Sequence, residues 1–377
     1  MKYYLLAGEA SGDLHGSNLI AALRRLDPQG QFRAWGGDLM EAAGAEIVKH
    51  YRDLAFMGFW EVATNLRTIL RNLAACKEDI EAFQPDVLIL IDYPGFNLRI
   101  ARWAGPLPFK VFYYISPQLW AWHSSRVHGI KAHVDRMFVI LPFEEAFYSA
   151  YGMKVDFVGH PLLDVIEQFE PMDNFRSRRE LDDRPIIALL PGSRQQEVIR
   201  MLSVMLDVAP RFPDHQFVLA EAPSLPERTY EEIVSKKQAE HPGLRKQLGR
   251  VRNDTYNLLY EAEAALVTSG TATLETALFD VPQVVCYKGS ALSYFIARRL
   301  VNVDYISLVN LIMDRKLVPE LIQGAFNRDS LRRALNELLE PEKKAAMRGG
   351  YRKLRQRLGQ SGASKRTARL MIQYLES

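Results

Sequence analysis

Cysteine is nearly missing from this chain: Cys76 and Cys286, far apart, are the two in 377 residues. That scarcity speaks against a disulfide framework and against a thiolate metal cage, and it fits a reducing compartment. Long apolar runs are missing too. No stretch reaches the roughly 18 residues a membrane-crossing helix needs, so none is expected. The run after Met1-Lys2, "YYLLAGEASGD", is too short for a signal peptide and lacks its small-residue cleavage site. There is no D-x-D and no His/Cys/Asp cluster at ligand spacing, so neither a metal nor a cofactor is expected. Charge of one sign is not in large excess, the net being +3. Residues 328–369 do hold thirteen Lys/Arg against four Asp/Glu. They lack the interleaved aromatics that stack bases, which argues against nucleic acid. This stretch reads either as a solvated helical face or as a basic surface near anionic lipid or phosphate.

What is present is ordinary soluble-protein composition, 48% hydrophobic and 25% charged, in a length natural for two domains. Short apolar runs alternate with helix-length amphipathic segments. Strands are expected at residues 3–7, 87–91, 111–115, 137–141, 186–190, 217–220, 264–267 and 283–286. Helices are expected at 13–26, 62–83, 195–212 and 271–279. That alternation predicts an α/β protein with parallel sheets. The polar run "EQFEPMDNFRSRRELDDRP" separates the two halves. The expected division is an N-terminal domain at 1–168, a linker at 169–185, a second domain at 186–340 and C-terminal helices at 341–377. Sheets of this kind bind ligands beyond their strand ends, so a cleft lined by both sets of loops is expected.

Several strand ends carry chemistry. "LILIDYPGFN" runs four aliphatic residues into Asp92, and Tyr93-Pro94-Gly95 stops the strand. Such an acid is a helix cap or a base. "LLPGSRQQE" is strand, glycine turn, helix: Gly192 allows the turn, Ser193 and the free N–H groups can meet phosphate oxygens, and Arg194 adds fixed charge. It lacks the Gly-Lys-Ser/Thr ending of a Walker A loop. "LVTSGTATLETALF" repeats the arrangement, with Ser269 as N-cap, Gly270 and Thr271 as donors to a diphosphate, and Glu275 suited to a ribose. Two such elements in one half point to a nucleoside diphosphate. In "LLAGEASGDLHG" the glycines do not fit G-x-G-x-x-G. Ser11 and Asp13 either cap the next helix or act with Glu9 and His15 to hold sugar hydroxyls or a phosphate. In "LAFMGFWEVATNLRTILRNL", a helical stripe of Val62, Leu66, Ile69, Leu70 and Leu73 follows Phe56, Met57, Phe59 and Trp60. The stripe is either core or a patch dipping into a membrane surface.

Seven motifs occur in order: "GEASGD", "IDYPGFN", "YYISPQLWAW", "FVGHPLLD", "LLPGSR", "SGTATLE" and "DYISLVN". Together they resemble the bacterial lipid-A-disaccharide synthase family over nearly the whole chain, with no clear departure at any of them. The resemblance implies the GT-B glycosyltransferase architecture, two Rossmann-like domains with parallel sheets facing a cleft. It implies a metal-independent, inverting transfer. UDP-2,3-diacylglucosamine and 2,3-diacylglucosamine 1-phosphate (lipid X) become lipid A disaccharide 1-phosphate, and UDP leaves. Asp92 becomes the candidate base. Gly192, Ser193, Arg194, Ser269, Gly270, Thr271, Glu275 and Asn310 become donor-side residues. Glu9, Ser11, Asp13 and His15 become acceptor-side residues. A peripheral place on the cytoplasmic face of the bacterial inner membrane, contact with anionic lipid and a homodimer are further expectations. The competing readings are a UDP-N-acetylglucosamine 2-epimerase-like enzyme and a non-catalytic lipid or nucleotide-sugar binder.

Overall fold

The computed structural model describes residues 1–54, 66–120, 124–289 and 304–377. The chain divides into two units, one of residues 1–164 with 358–377 and one of residues 165–357. Each is a parallel sheet with helices between its strands.

In the first unit the strands are β1 (Lys2–Ala7), β2 (Gln31–Gly36), β3 (Glu46–His50), β4 (Val87–Ile91), β5 (Lys110–Tyr114), β6 (Arg136–Val139) and β7 (Asp156–Phe157). They lie in the order β3-β2-β1-β4-β5-β6-β7, every pair parallel. The second unit holds β8 (Ile186–Leu190), β9 (Gln216–Glu221), β10 (Leu248–Arg252), β11 (Ala262–Thr268), β12 (Gln283–Tyr287) and β13 (Glu320–Ile322). Their order is β10-β9-β8-β11-β12-β13, again all parallel. Central strands of such sheets are covered on both faces and so read as unbroken apolar runs. That is the case for VLILI in β4 and IIALL in β8, buried at every residue. These are the strands the sequence predicts. The unpredicted ones are β2, β3, β7, β10 and β13. Apart from β2 they are half-exposed or very short, so they lack that run.

The strand order reverses direction between β1 and β4 in one unit and between β8 and β11 in the other. At such a switch point neighbouring connections leave to opposite faces, opening a crevice beyond the strands' carboxyl ends. The motifs around Asp92 and Gly192 fall there.

The expected boundaries differ from the observed ones. Residues 169–185 are no free linker. Phe175 is buried in the second core, Met172 N–H donates to Asn257 Oδ1 at 2.7 Å, and Arg179 pairs with the buried Asp254 at 2.5 Å. The last helices also part company. Helix Pro341–Arg357 belongs to the second unit, whereas helix Ala363–Glu376 packs on helix Ala10–Leu26 of the first. Hydrogen bonds hold it there. His160 N–H donates to Leu358 O at 3.2 Å, Arg366 Nε donates to Val158 O at 2.9 Å, and Asp164 accepts from Gly362 N–H.

Candidate active site

β4 delivers Asp92 to the first switch point. Asp92 (φ 45°) and Tyr93 (φ 48°) both lie in the left-handed region, as does the β-branched Ile115 (φ 66°) beside them at the end of β5. Each such residue costs on the order of 1–3 kcal/mol and persists only where its surroundings over-determine it. Here they do. Asp92 N–H donates to Tyr114 O at 3.1 Å, and Asp92 O accepts from Tyr113 Oη at 2.6 Å and from Asn97 Nδ2 at 2.8 Å. The wholly buried Asn97 also donates to Ile91 O at 3.2 Å. Gly8, after β1, is needed because any Cβ there would lie 2.3 Å from the Tyr93 ring.

The Asp92 carboxyl is thus aimed by its backbone. Burial, and then the charge of Glu9, push it up to about 7, while the Tyr93 N–H draws it down. A carboxylate with that affinity for a proton can exchange one near neutral pH. Glu9 itself is exposed, at the N-cap of helix Ala10–Leu26 with no side-chain cap bond. Ser11 is exposed on the first turn.

Asp13 is otherwise engaged. It is buried, and its carboxylate accepts from the N–H groups of Gly37, Met40 and Leu39 at 2.8, 3.0 and 3.2 Å. It caps the next helix, Asp38–Ala42, rather than its own, so its expected acceptor-side role is corrected to that of a brace. His15 is buried, with Nδ1 unpartnered, and burial pushes it down to about 4. Burial and then His15 push His160 of "FVGHPLLD" down to about 3. Both imidazoles are neutral at ordinary pH, so His15 offers hydrogen bonds and no charge to a phosphate.

At the second switch point a cavity of about 630 Å³ opens beyond β8 and β11, lined by Gly192, Ser193, Ser269, Gly270, Thr271 and Glu275 among others. The turn after β8 requires glycine: Gly192 has φ 114°, and a Cβ would lie 2.6 Å from a Glu197 carboxylate oxygen. Gly270, not Ser269, is the N-cap of helix Thr271–Leu278 and supplies no side-chain cap. Ser269 Oγ donates to Ile306 O at 2.8 Å instead. The first N–H groups of that helix thus have no side-chain cap and suit an anion. Glu275 accepts from Tyr256 Oη at 2.8 Å, and burial raises its carboxyl.

Two expected donor residues do not join them. Arg194 is 70% exposed and leans to Glu197, 3.6 Å away; it does not line the cavity. Asn310 is wholly buried, and its amide is used up: Nδ2 donates to Val318 O and Glu320 Oε1 at 2.9 and 2.8 Å, and Oδ1 accepts from Leu317 and Val318 N–H at 2.7 and 2.9 Å. Its expected donor contact is corrected to a structural clamp. Sequence reasoning missed Glu197, Asn253 (φ 54°), Tyr256 and Thr268 in the lining. Thr268 ends β11 with a buried, unpartnered hydroxyl. "RNDTYN" after β10 carried a turn signal, but β10 itself was not predicted.

Met57, Phe59, Trp60 and Val62, with the Leu66 side chain, lie outside the described residues. Further along helix Leu66–Phe83 the stripe divides. Ile69 packs on the first core and Leu73 is buried within it, while Leu70 is 56% exposed. Ile69 is therefore corrected from membrane patch to core.

Two Rossmann-like units, each a parallel sheet with a switch point, make this an α/β protein of the GT-B fold class. Solved structures agree in fold. S. aureus MnaA, in a co-structure with UDP, superposes with a TM-score of 0.72 at 12% identity, covering 100% of this chain and 97% of that one. UDP-GlcNAc 2-epimerase from Neisseria meningitidis bound to UDP-GlcNAc gives 0.69 at 13%, covering 99% and 100%. At such identities the likeness carries fold alone. The sequence comparisons carry the family. The lipid-A-disaccharide synthetase family model matches residues 3–373. The lipid-A-disaccharide synthase of Syntrophus aciditrophicus (strain SB) is 43% identical, over 99% of this chain and 97% of the relative. That of Geobacter metallireducens is 39% identical, over 98% and 96%. The chain belongs to the lipid-A-disaccharide synthase family and is a glycosyltransferase of lipid A biosynthesis.

Proposed function

We propose that this chain joins UDP-2,3-diacylglucosamine to 2,3-diacylglucosamine 1-phosphate by an inverting transfer. Asp92 takes the proton from the acceptor's 6-hydroxyl as its oxygen attacks the anomeric carbon. The carbon–oxygen bond to UDP breaks, and the electron pair leaves with the diphosphate. The observation that carries this reading is the Asp92 carboxyl, held by a strained, fully bonded strand end at a proton affinity near neutrality.

The second unit would hold UDP. The N–H groups of the Gly192–Ser193 turn and the start of helix Thr271–Leu278 face the diphosphate, and charge growing on it is stabilised by donors already in place. Glu275, fixed by Tyr256, accepts from a ribose hydroxyl. Thr268 completes its unmet bond with the same ligand. Arg194, exposed and 3.6 Å from the cavity-lining Glu197, would have to leave that partner to reach the diphosphate.

Among the described residues no helix is long and apolar enough to cross a membrane. Acylated substrates favour a peripheral site on the inner membrane's cytoplasmic face, since acyl chains are costly to draw into water. Leu70→Ser should weaken flotation with anionic vesicles and leave the unfolding midpoint in place. Unfolding of that variant would contradict a surface role.

The test of the reaction is a transfer assay with both acylated sugars, the product identified by mass. A disaccharide 1-phosphate appearing with UDP is expected. Conversion of the UDP-sugar without acceptor would favour epimerisation instead.

A further inference from the structure

Apart from both crevices, the first unit has a groove of about 480 Å³ between helices Pro94–Ala104 and Val127–His133. Its floor is apolar, with Leu98, Ala101 and Ile130. Its rim is cationic, with Arg99, Arg102 and Arg126, all exposed. No carboxylate lines it. Among the described residues none of these guanidiniums pairs with an acid, although Arg99 Nη1 donates to Gly95 O in its own helix. Three exposed guanidiniums thus rim an apolar floor without an acid to neutralise them. The same arrangement suits a ligand that is anionic at one end and hydrocarbon at the other. Guanidiniums bind phosphate by paired, charge-assisted bonds, and an apolar floor takes alkyl chain.

The groove also begins where the catalytic turn ends. Pro94 and Gly95 line it and follow directly on Asp92 and Tyr93. At 1.5 Å per residue, Arg99 and Arg102 stand about 8 and 12 Å along the helix from Pro94. Of the two, Arg99 is the nearer to that turn and Arg102 the farther.

We propose that this groove binds the phosphate of the acyl-bearing acceptor sugar, with Arg102 and Arg126 as the phosphate ligands and Leu98, Ala101 and Ile130 as the bed for its hydrocarbon. This rests on the synthase reading above. The groove would then select a phosphorylated acceptor and orient its far hydroxyl toward Asp92.

The test compares 2,3-diacylglucosamine 1-phosphate with its dephosphorylated counterpart, in the wild type and in an Arg102→Gln, Arg126→Gln variant. Two measurements are made: equilibrium binding of each acceptor without donor, and transfer. The wild type should bind the phosphorylated acceptor roughly tenfold to a hundredfold more tightly, the scale of one or two hydrogen bonds to a charged group. The variant should lose most of that preference. Its KM for the UDP-sugar and its unfolding midpoint should stay in place, because both side chains are exposed. A variant that keeps the full preference overturns the proposal. So does one that keeps it and loses only its association with phosphatidylglycerol vesicles, which would set the groove against lipid headgroups. If the wild type makes no disaccharide, the synthase reading fails, and the binding measurement still decides the groove.

Discussion

The two switch points are built to opposite designs. Around Asp92 the backbone is forced, with three neighbouring non-glycine residues at positive φ and each strand-end carbonyl tied by Asn97 or Tyr113. Around Gly192 the turn is relaxed by glycine, and N–H and hydroxyl groups are left without protein partners. The first design fixes one partly buried carboxyl and so changes its proton affinity. The second leaves donors that suit a large anion. Proton transfer tolerates little misplacement, whereas a diphosphate offers many acceptor oxygens, and under the proposed roles the amount of internal bonding at each site matches that difference.

The comparison can be broken by substitution. The largest effect is expected from Asp92→Asn: turnover should fall by roughly two to four orders of magnitude, while UDP affinity measured by calorimetry is unchanged. Weakened UDP binding would mean that the two designs are not separable. Asn310→Ala comes next. It removes the four bonds of a wholly buried amide and should lower stability by about 2–4 kcal/mol in denaturant titration. A UDP affinity that fell while stability held would return Asn310 to the donor site. Gly192→Ala places a Cβ against Glu197 at a positive φ, and should weaken UDP binding about tenfold and stability by about 1–3 kcal/mol. The smallest effect should follow Tyr256→Phe, which frees Glu275: UDP affinity should drop roughly two- to tenfold. No change would leave Glu275 without a ligand role.

Legibility from sequence follows the same physics. The parallel sheets were readable because doubly covered strands such as VLILI and IIALL carry a strong, local apolar signal. Asp92 and Gly192 were readable because a strand that stops at an acid or a glycine turn announces its end. Edge strands such as β3 and β13 were not, since exposure dilutes the pattern that betrays them. Asn310 and Asp13 misled for another reason. A motif gives the residue type, but whether an amide or carboxylate is already bonded depends on partners set by the fold: Val318 and Glu320 for one, Gly37 to Met40 for the other. Tyr256 and Thr268 were missed because their meaning lies in a cavity wall assembled from several loops. The domain limits failed where polar composition suggested a linker, yet Arg176 and Arg179 use their charge to fasten that segment to Glu261 and Asp254.

The central claim is that Asp92 works as a base whose proton affinity the fold has raised. A base must be unprotonated to act, so kcat/KM for transfer should rise with pH and level off above an acidic limb near 7. The direct measurement is that profile for the wild type beside the residual activity of Asp92→Asn. The account expects the limb near 7 in the wild type and its disappearance in the variant. A limb in the ordinary carboxylate range near 4, or one near 7 that survives the substitution, would contradict it.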